Sequence, residues 1–154
     1  MGKTKNKLTI MGNHSKKIKE LNEYSIMKKH VSNFEAKIKN SSLRLEFLEY
    51  ISKLACECLY QYDSDIKIHE AKKTMLLVIL ILFFPMVLSG ERLKNNSRNR
   101  ISKILKCDCT TTSHYIRLVI FLYEKYPDFS SRVDHICEKI ISGIESGEIN
   151  FENA

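Results

Sequence analysis

Thr74-Met75-Leu76-Leu77-Val78-Ile79-Leu80-Ile81-Leu82-Phe83-Phe84-Pro85-Met86-Val87-Leu88 is apolar almost without interruption, and its reading decides the architecture. Such a run is either a membrane segment or the central helix of a globular fold. A bilayer span needs about 17 to 25 apolar residues, whereas this run is shorter, is broken by Pro85 and stops at Ser89-Gly90. The expectation is a buried helix covered by neighbours on most sides. The competing membrane-anchored reading rests on Lys72, Lys73 and Arg92 as flanks.

Helical periodicity continues on both sides of that run. Upstream, Leu43, Phe47, Leu48, Ile51, Leu54, Ala55, Cys58, Leu59 and Tyr62 recur at three- and four-residue steps, with Arg44, Glu46, Glu49, Lys53 and Glu57 turned to water. Asn40-Ser41-Ser42 breaks the chain before this helix, and Asp63-Ser64-Asp65 is expected to punctuate it and cap the next. Between Lys16 and Lys39, Ile18, Leu21, Tyr24, Met27, Val31, Phe34 and Ile38 predict an amphipathic helix that packs on the core or on a second copy. Residues 1 to 14 read as a mobile basic arm.

Downstream, Ser97 is expected to cap a short helix ending at Lys106. In it Ile101, Ile104 and Leu105 point inward, and Arg98, Arg100, Lys103 and Lys106 point outward. A turn over Lys106 to Asp108 leads to a longer helix from about Thr110 to Tyr126, stopped by Pro127. Asp128 or Ser130 is expected to cap the last helix, whose stripe is Phe129, Val133, Ile136, Ile140 and Ile144, with Gly143 and Gly147 loosening its end. The fold class is therefore all-α, a compact helical domain of about five to six helices. Residues 1–40 form a basic arm and amphipathic helix, 41–146 a helical domain with a helix-turn-helix near 98–126, and 147–154 a tail.

Composition agrees with one principal domain. In 154 residues, 44% hydrophobic and 28% charged with five Gly and two Pro, there is enough apolar material for a core and too little punctuation for disorder. Five cysteines, an odd number, behind a Lys-rich start without a secretory signal imply reduced thiols in a cytoplasmic protein. Cys56/Cys58 and Cys107/Cys109 are Cys-x-Cys pairs rather than the Cys-x-x-Cys usual at zinc sites, so they read as packing residues. No metal or other cofactor is expected.

The net charge of +7 is uneven. From Glu91 to Lys125, Arg92, Lys94, Arg98, Arg100, Lys103, Lys106, Arg117 and Lys125 face only Glu91, Asp108 and Glu124, whereas acids dominate after Tyr126. A basic field over a helix-turn-helix has a phosphate backbone as its natural counterpart. At about 100° per residue, Thr112, Tyr115, Ile116, Val119, Leu122 and Tyr123 share the core side of the long helix, and Thr110, Ser113, His114 and Arg117 share the other. Ser102 is small where the two helices must approach closely. Threonine offers a hydroxyl to phosphate and a methyl to thymine, while Asp108 accepts from a cytosine amino group or caps the helix.

Asp108-Cys109-Thr110-Thr111-Thr112-Ser113-His114 resembles the Asp-His-Thr-Thr-x-x-His signature of the C-terminal DNA-binding domain of the bacterial replication initiator DnaA. Asp108, Thr110, Thr111 and His114 stand at matching positions, and Arg117 matches a basic residue three places after the histidine. The resemblance covers roughly residues 98 to 141, with an echo at Ala71-Lys72-Lys73. It implies base reading by Asp108 and its neighbours and phosphate binding by Thr111 and His114. Cys109 replaces the family's base-contacting histidine, and Arg92, Arg98 and Arg100 are candidates for its minor-groove arginine.

These readings converge on a small non-enzymatic regulator of replication or transcription that binds double-stranded DNA, in keeping with a mobile element. No G-x-x-x-x-G-K-[ST] phosphate loop occurs, so the chain carries no initiator ATPase, and His30, His69 and His135 stand singly. The expected contact set is Asp108, Cys109, Thr110, Thr111, Ser113, His114 and Arg117 with Lys106, Lys103, Arg100 and Arg98. The competing reading is a helical interaction protein that docks on a partner or forms a homodimer through its N-terminal helix.

Overall fold

The structure, a computed structural model, describes the backbone of residues 2–153 and the side chains of 14–33, 36–37 and 42–152. Among the described residues six α-helices follow one another: α1 (Gly2–Ser41), α2 (Leu48–Tyr62), α3 (Ile68–Phe83), α4 (Asn95–Leu105), α5 (Cys109–Lys125) and α6 (Pro127–Ser146). Single 3-10 turns occupy Leu45–Phe47, Pro85–Ser89 and Phe151–Asn153. No strand occurs among the described residues. Residues 1–40 form one unit and residues 41–154 another.

In the larger unit α3 is the helix around which the others gather, touching α2, α4, α5 and α6. Leu76, Leu77, Val78, Ile79 and Leu80 are consecutive and all buried, which only a helix enclosed on all sides permits. Its end is set locally. Pro85 disfavours helical geometry at Phe84, which sits at φ −134° and ψ 50°, and the chain turns through Pro85–Ser89 to Gly90 at φ 103°. No helix among the described residues is long and apolar enough to cross a membrane.

The other stripes close on α3. Leu48, Ile51, Ala55 and Leu59 of α2 and Phe129, Val133, Ile136 and Ile140 of α6 are buried in the same cluster. Thr74 ties α3 to α6: its hydroxyl donates to the Glu70 carbonyl at 2.8 Å and accepts from Arg132 Nε at 3.0 Å. Glu70 also pairs with Arg132 at 3.7 Å and with Lys73 at 3.2 Å. The segment after Ser146 is no free tail. Gly147 adopts φ 80°, the Ile149 N–H donates to the Gly143 carbonyl at 2.9 Å, and Phe151 stacks on Phe47 at 4.1 Å.

Several expected boundaries move. α1 is helical from Gly2, so the backbone of the expected arm continues the helix. Ser97 lies inside α4, which begins at Asn95 with Lys94 before it. Neither Asp128 nor Ser130 caps α6, because Pro127 opens it, where a missing N–H costs nothing. Asp63 accepts from the Asp65 N–H in the turn instead of capping α3, which begins at Ile68. Tyr62 and Tyr123 are exposed rather than in the core, Tyr123 donating its hydroxyl proton to Asp134 at 2.7 Å.

On α1, Ile18, Leu21, Tyr24, Met27 and Val31 are all more than half exposed. At about 100° per residue, Tyr24, Met27 and Val31 share a narrow face, whereas Ile18 and Leu21 drift round the helix away from it. The expected stripe is therefore partial; the Phe34 and Ile38 side chains lie outside the described residues.

Candidate functional site

The α4–turn–α5 segment is assembled around hydroxyls. Ser102 Oγ and Thr112 Oγ1, both buried, lie 2.7 Å apart where the helices meet. Ser102 Oγ also lies 2.8 Å from the Arg98 carbonyl, Thr112 Oγ1 3.1 Å from the Asp108 carbonyl, and Cys107 Sγ 3.3 Å from Thr112 Oγ1. A bulkier side chain at either position would force the helices apart. Lys106 ends α4 in the left-handed region, φ 53° and ψ 47°, with its N–H bonded to the Lys103 carbonyl. Its own carbonyl is held from below by Lys72 Nζ at 3.1 Å, so α3 fixes the turn.

Asp108 is the N-cap of α5. Its carboxylate accepts from the Thr111 N–H at 2.6 Å, and that bond holds its pKa below the ordinary carboxylate range. The cap satisfies one orphan amide and places a negative charge at the positive end of the helix. The Cys109 thiol, half-buried, donates to Asn99 Oδ1 at 3.0 Å.

Beyond the cap, Thr112 and Val119 of α5 are buried and Tyr115, Ile116 and Leu122 half-buried on the core side, while Thr110, His114 and Arg117 are exposed on the opposite edge together with Phe121, which is 49% exposed. Lys103, Lys106 and Asp108 are exposed beside that edge, and Thr111 is half-buried. The expected set thus does not stay together, and Cys109 and Thr111 are half-buried. Asp108, Thr110, His114, Arg117, Lys103 and Lys106 present polar groups to solvent on one side of the unit.

Ser113, Arg98 and Arg100 depart from the expected outward placement. Arg98 is half-buried, donating from Nη1 to Ser113 Oγ at 3.3 Å and from Nη2 to Asn95 Oδ1 at 3.3 Å. Arg100 turns toward α2, donating to both Glu49 carboxylate oxygens at 3.0 and 2.8 Å and to the Leu45 carbonyl at 2.9 Å. That guanidinium lowers the Glu49 pKa and serves as a brace between α4 and α2. Lys72, Asn95 and Asn99 support the site without belonging to the expected set. The Ala71-Lys72-Lys73 echo was the one signal that pointed toward Lys72.

The thiols are free, and no three His, Cys, Asp or Glu side chains come together among the described residues. Burial pushes Cys56 and Cys58 above the usual thiol range and Cys137 up to about 12. Compared with known proteins, this chain matches no family model, no curated protein and no solved structure.

Proposed function

We propose that this chain binds double-stranded DNA, with α4 and α5 acting as a helix-turn-helix and α5 as the helix that enters the major groove. The observation that carries the reading is the exposure of Thr110, His114 and Arg117 along one edge of α5, next to Phe121, while Thr112 and Val119 anchor the reverse. A groove-reading helix needs that arrangement, with short hydroxyl and cationic groups outward and a rigid support behind. Lys103 and Lys106 add cations beside the edge, and Asp108 and Cys109 stand at the N-terminal end from which such helices meet bases. The resemblance to the DnaA DNA-binding domain adds a role in replication or transcription, carried out without catalysis and in the cytoplasm. Arg100, engaged with Glu49, contributes less to this face than the exposed Arg117.

Titration with duplex DNA at several salt concentrations tests the reading. Affinity should fall steeply as salt rises, and Arg117→Ala and His114→Ala should weaken it further. Unaltered affinity in both variants would remove α5 from the interface. Thr110→Ala should cost about 1 to 3 kcal/mol on the preferred site and little elsewhere.

A second reading is favoured by α1, where Tyr24, Met27 and Val31 are exposed together on one face. An isolated helix gains little stability without a packed face, so docking on a partner or a second copy is the corresponding proposal. A defined oligomer with no affinity for any duplex would favour this role over the first.

A further inference from the structure

Beside the polar edge of α5, an open groove of about 690 Å³ runs between that helix and the connection from Val87 to Leu93. Arg92, Arg98 and Arg117 line it, with Glu91 as its single carboxylate. Its apolar surface comes from Val87, Leu88, Leu93, Ile116 and Ile120.

The electrostatics of the groove are unbalanced. Elsewhere in the unit the half-buried cations have a negative counterpart among the described residues: Lys73 and Arg132 share Glu70, Arg100 has Glu49, and Lys72 meets the Lys106 carbonyl at the negative end of α4. Arg98 has only the neutral oxygens of Ser113 and Asn95, and its Nε is buried with no hydrogen-bond partner among the described residues. The N-terminus of α4, which follows Leu93 on the groove wall, has neither a side-chain cap nor an acid in its first turn, because Lys94 stands at its N-cap. Withdrawing a cation from water without a counter-charge is unfavourable unless an anion arrives. Arg117, one turn beyond Ser113 on α5, also lines the groove; it is exposed and makes no ion pair among the described residues.

We propose that this groove binds a small amphipathic anion. Its phosphate, sulfonate or carboxylate group lies between Arg98 and Arg117, and its apolar body rests on Leu88, Ile116 and Ile120. The volume falls within the range of small-molecule sites, about 300 to 1,000 Å³, and the mixture of apolar wall and a few convergent cations is what such sites use. A bare inorganic anion would leave the apolar wall wet, and an uncharged apolar molecule would leave Arg98 unpaired. Arg117 also belongs to the edge proposed for DNA, so ligand and duplex compete; that consequence alone rests on the DNA reading.

Calorimetric titration of the full chain, without DNA, separates the alternatives with three probes: hexyl phosphate, inorganic phosphate and hexan-1-ol. Hexyl phosphate should saturate one site, at least about tenfold more tightly than either other probe. Arg98→Gln and Arg117→Gln should each weaken it by about tenfold or more, with far-ultraviolet circular dichroism unchanged. Should Arg98→Gln disturb the fold, Arg117→Gln at its exposed position carries the test. No saturable binding of hexyl phosphate, equal affinity for inorganic phosphate, or wild-type affinity in Arg117→Gln overturns the proposal.

Discussion

α3 and α5 are nearly the same length, 16 and 17 residues, yet ten residues of α3 are buried against two of α5. Both pack in the same unit and touch each other. α3 spends its surface on the core and has almost none left for a ligand. α5 meets the core along one stripe and leaves Thr110, His114, Arg117 and Phe121 exposed on the other side. The division of labour follows from side-chain chemistry, since a continuous run of Leu, Ile and Val has no polar face to offer water, whereas Thr110, His114 and Arg117 have no favourable place inside.

The sharpest way to break this comparison is to shorten side chains on each helix. Leu76→Ala, at a position with 0% exposure, should cost about 2 to 5 kcal/mol in denaturant unfolding. His114→Ala on the outer edge of α5 should stay within about 0.5 kcal/mol of wild type. Comparable losses at both sites would erase the distinction. Thr112→Val probes the polar contact behind that edge. It retains the volume but loses the bonds to Ser102, Cys107 and the Asp108 carbonyl, and should cost about 1 kcal/mol, since Ser102 still has the Arg98 carbonyl.

Gly143→Ala should change stability by less than about 1 kcal/mol, because two effects oppose each other. Alanine favours the helix, but its Cβ would lie 2.7 Å from Ile149 Cδ1, so the end of that side chain must move. A loss above this range in thermal unfolding would show that Ile149 is fixed rather than yielding. The smallest expected effect is in acid. Asp108 and Glu49 both have pKa values lowered in the folded state, so their stabilisation is full above the unfolded carboxylate range and disappears as pH falls through the folded values. Glu49 and Arg100 are 58% and 38% exposed, so solvent screens the pair to about 0 to 1 kcal/mol. Glu49→Gln should therefore narrow the stability difference between pH 7 and pH 3 slightly, which unfolding midpoints at the two pH values would register.

Local chemistry was the legible part of the chain. The enclosed helix through Thr74–Phe83, the turn at Lys106–Asp108, the close approach at Ser102 and the cap or base-reader choice at Asp108 all depend on residues within a few positions of one another. Helix starts without a side-chain cap were illegible, because Lys94 and Tyr126 carry no capping signal and nearby Ser97, Asp128 and Ser130 do. The fate of the arginines was hidden for a different reason. Spacing puts Arg98 and Arg100 on the outer side of α4, but it cannot reveal Glu49, which approaches from 51 residues upstream, or Ser113 across the turn. Those partners exist only once the helices have packed, and they convert two apparent surface charges into a brace and a groove wall.

The stacking of Phe151 on Phe47, with Ile149 hooked over Gly143, fastens the last described turn of the larger unit to its first. Fraying at one of these ends is thereby transmitted to the other, and through the Leu45 carbonyl to Arg100. A protease that clipped the chain after Gly147 would unlatch the opening turn and slacken the footing of α4, far from the cut.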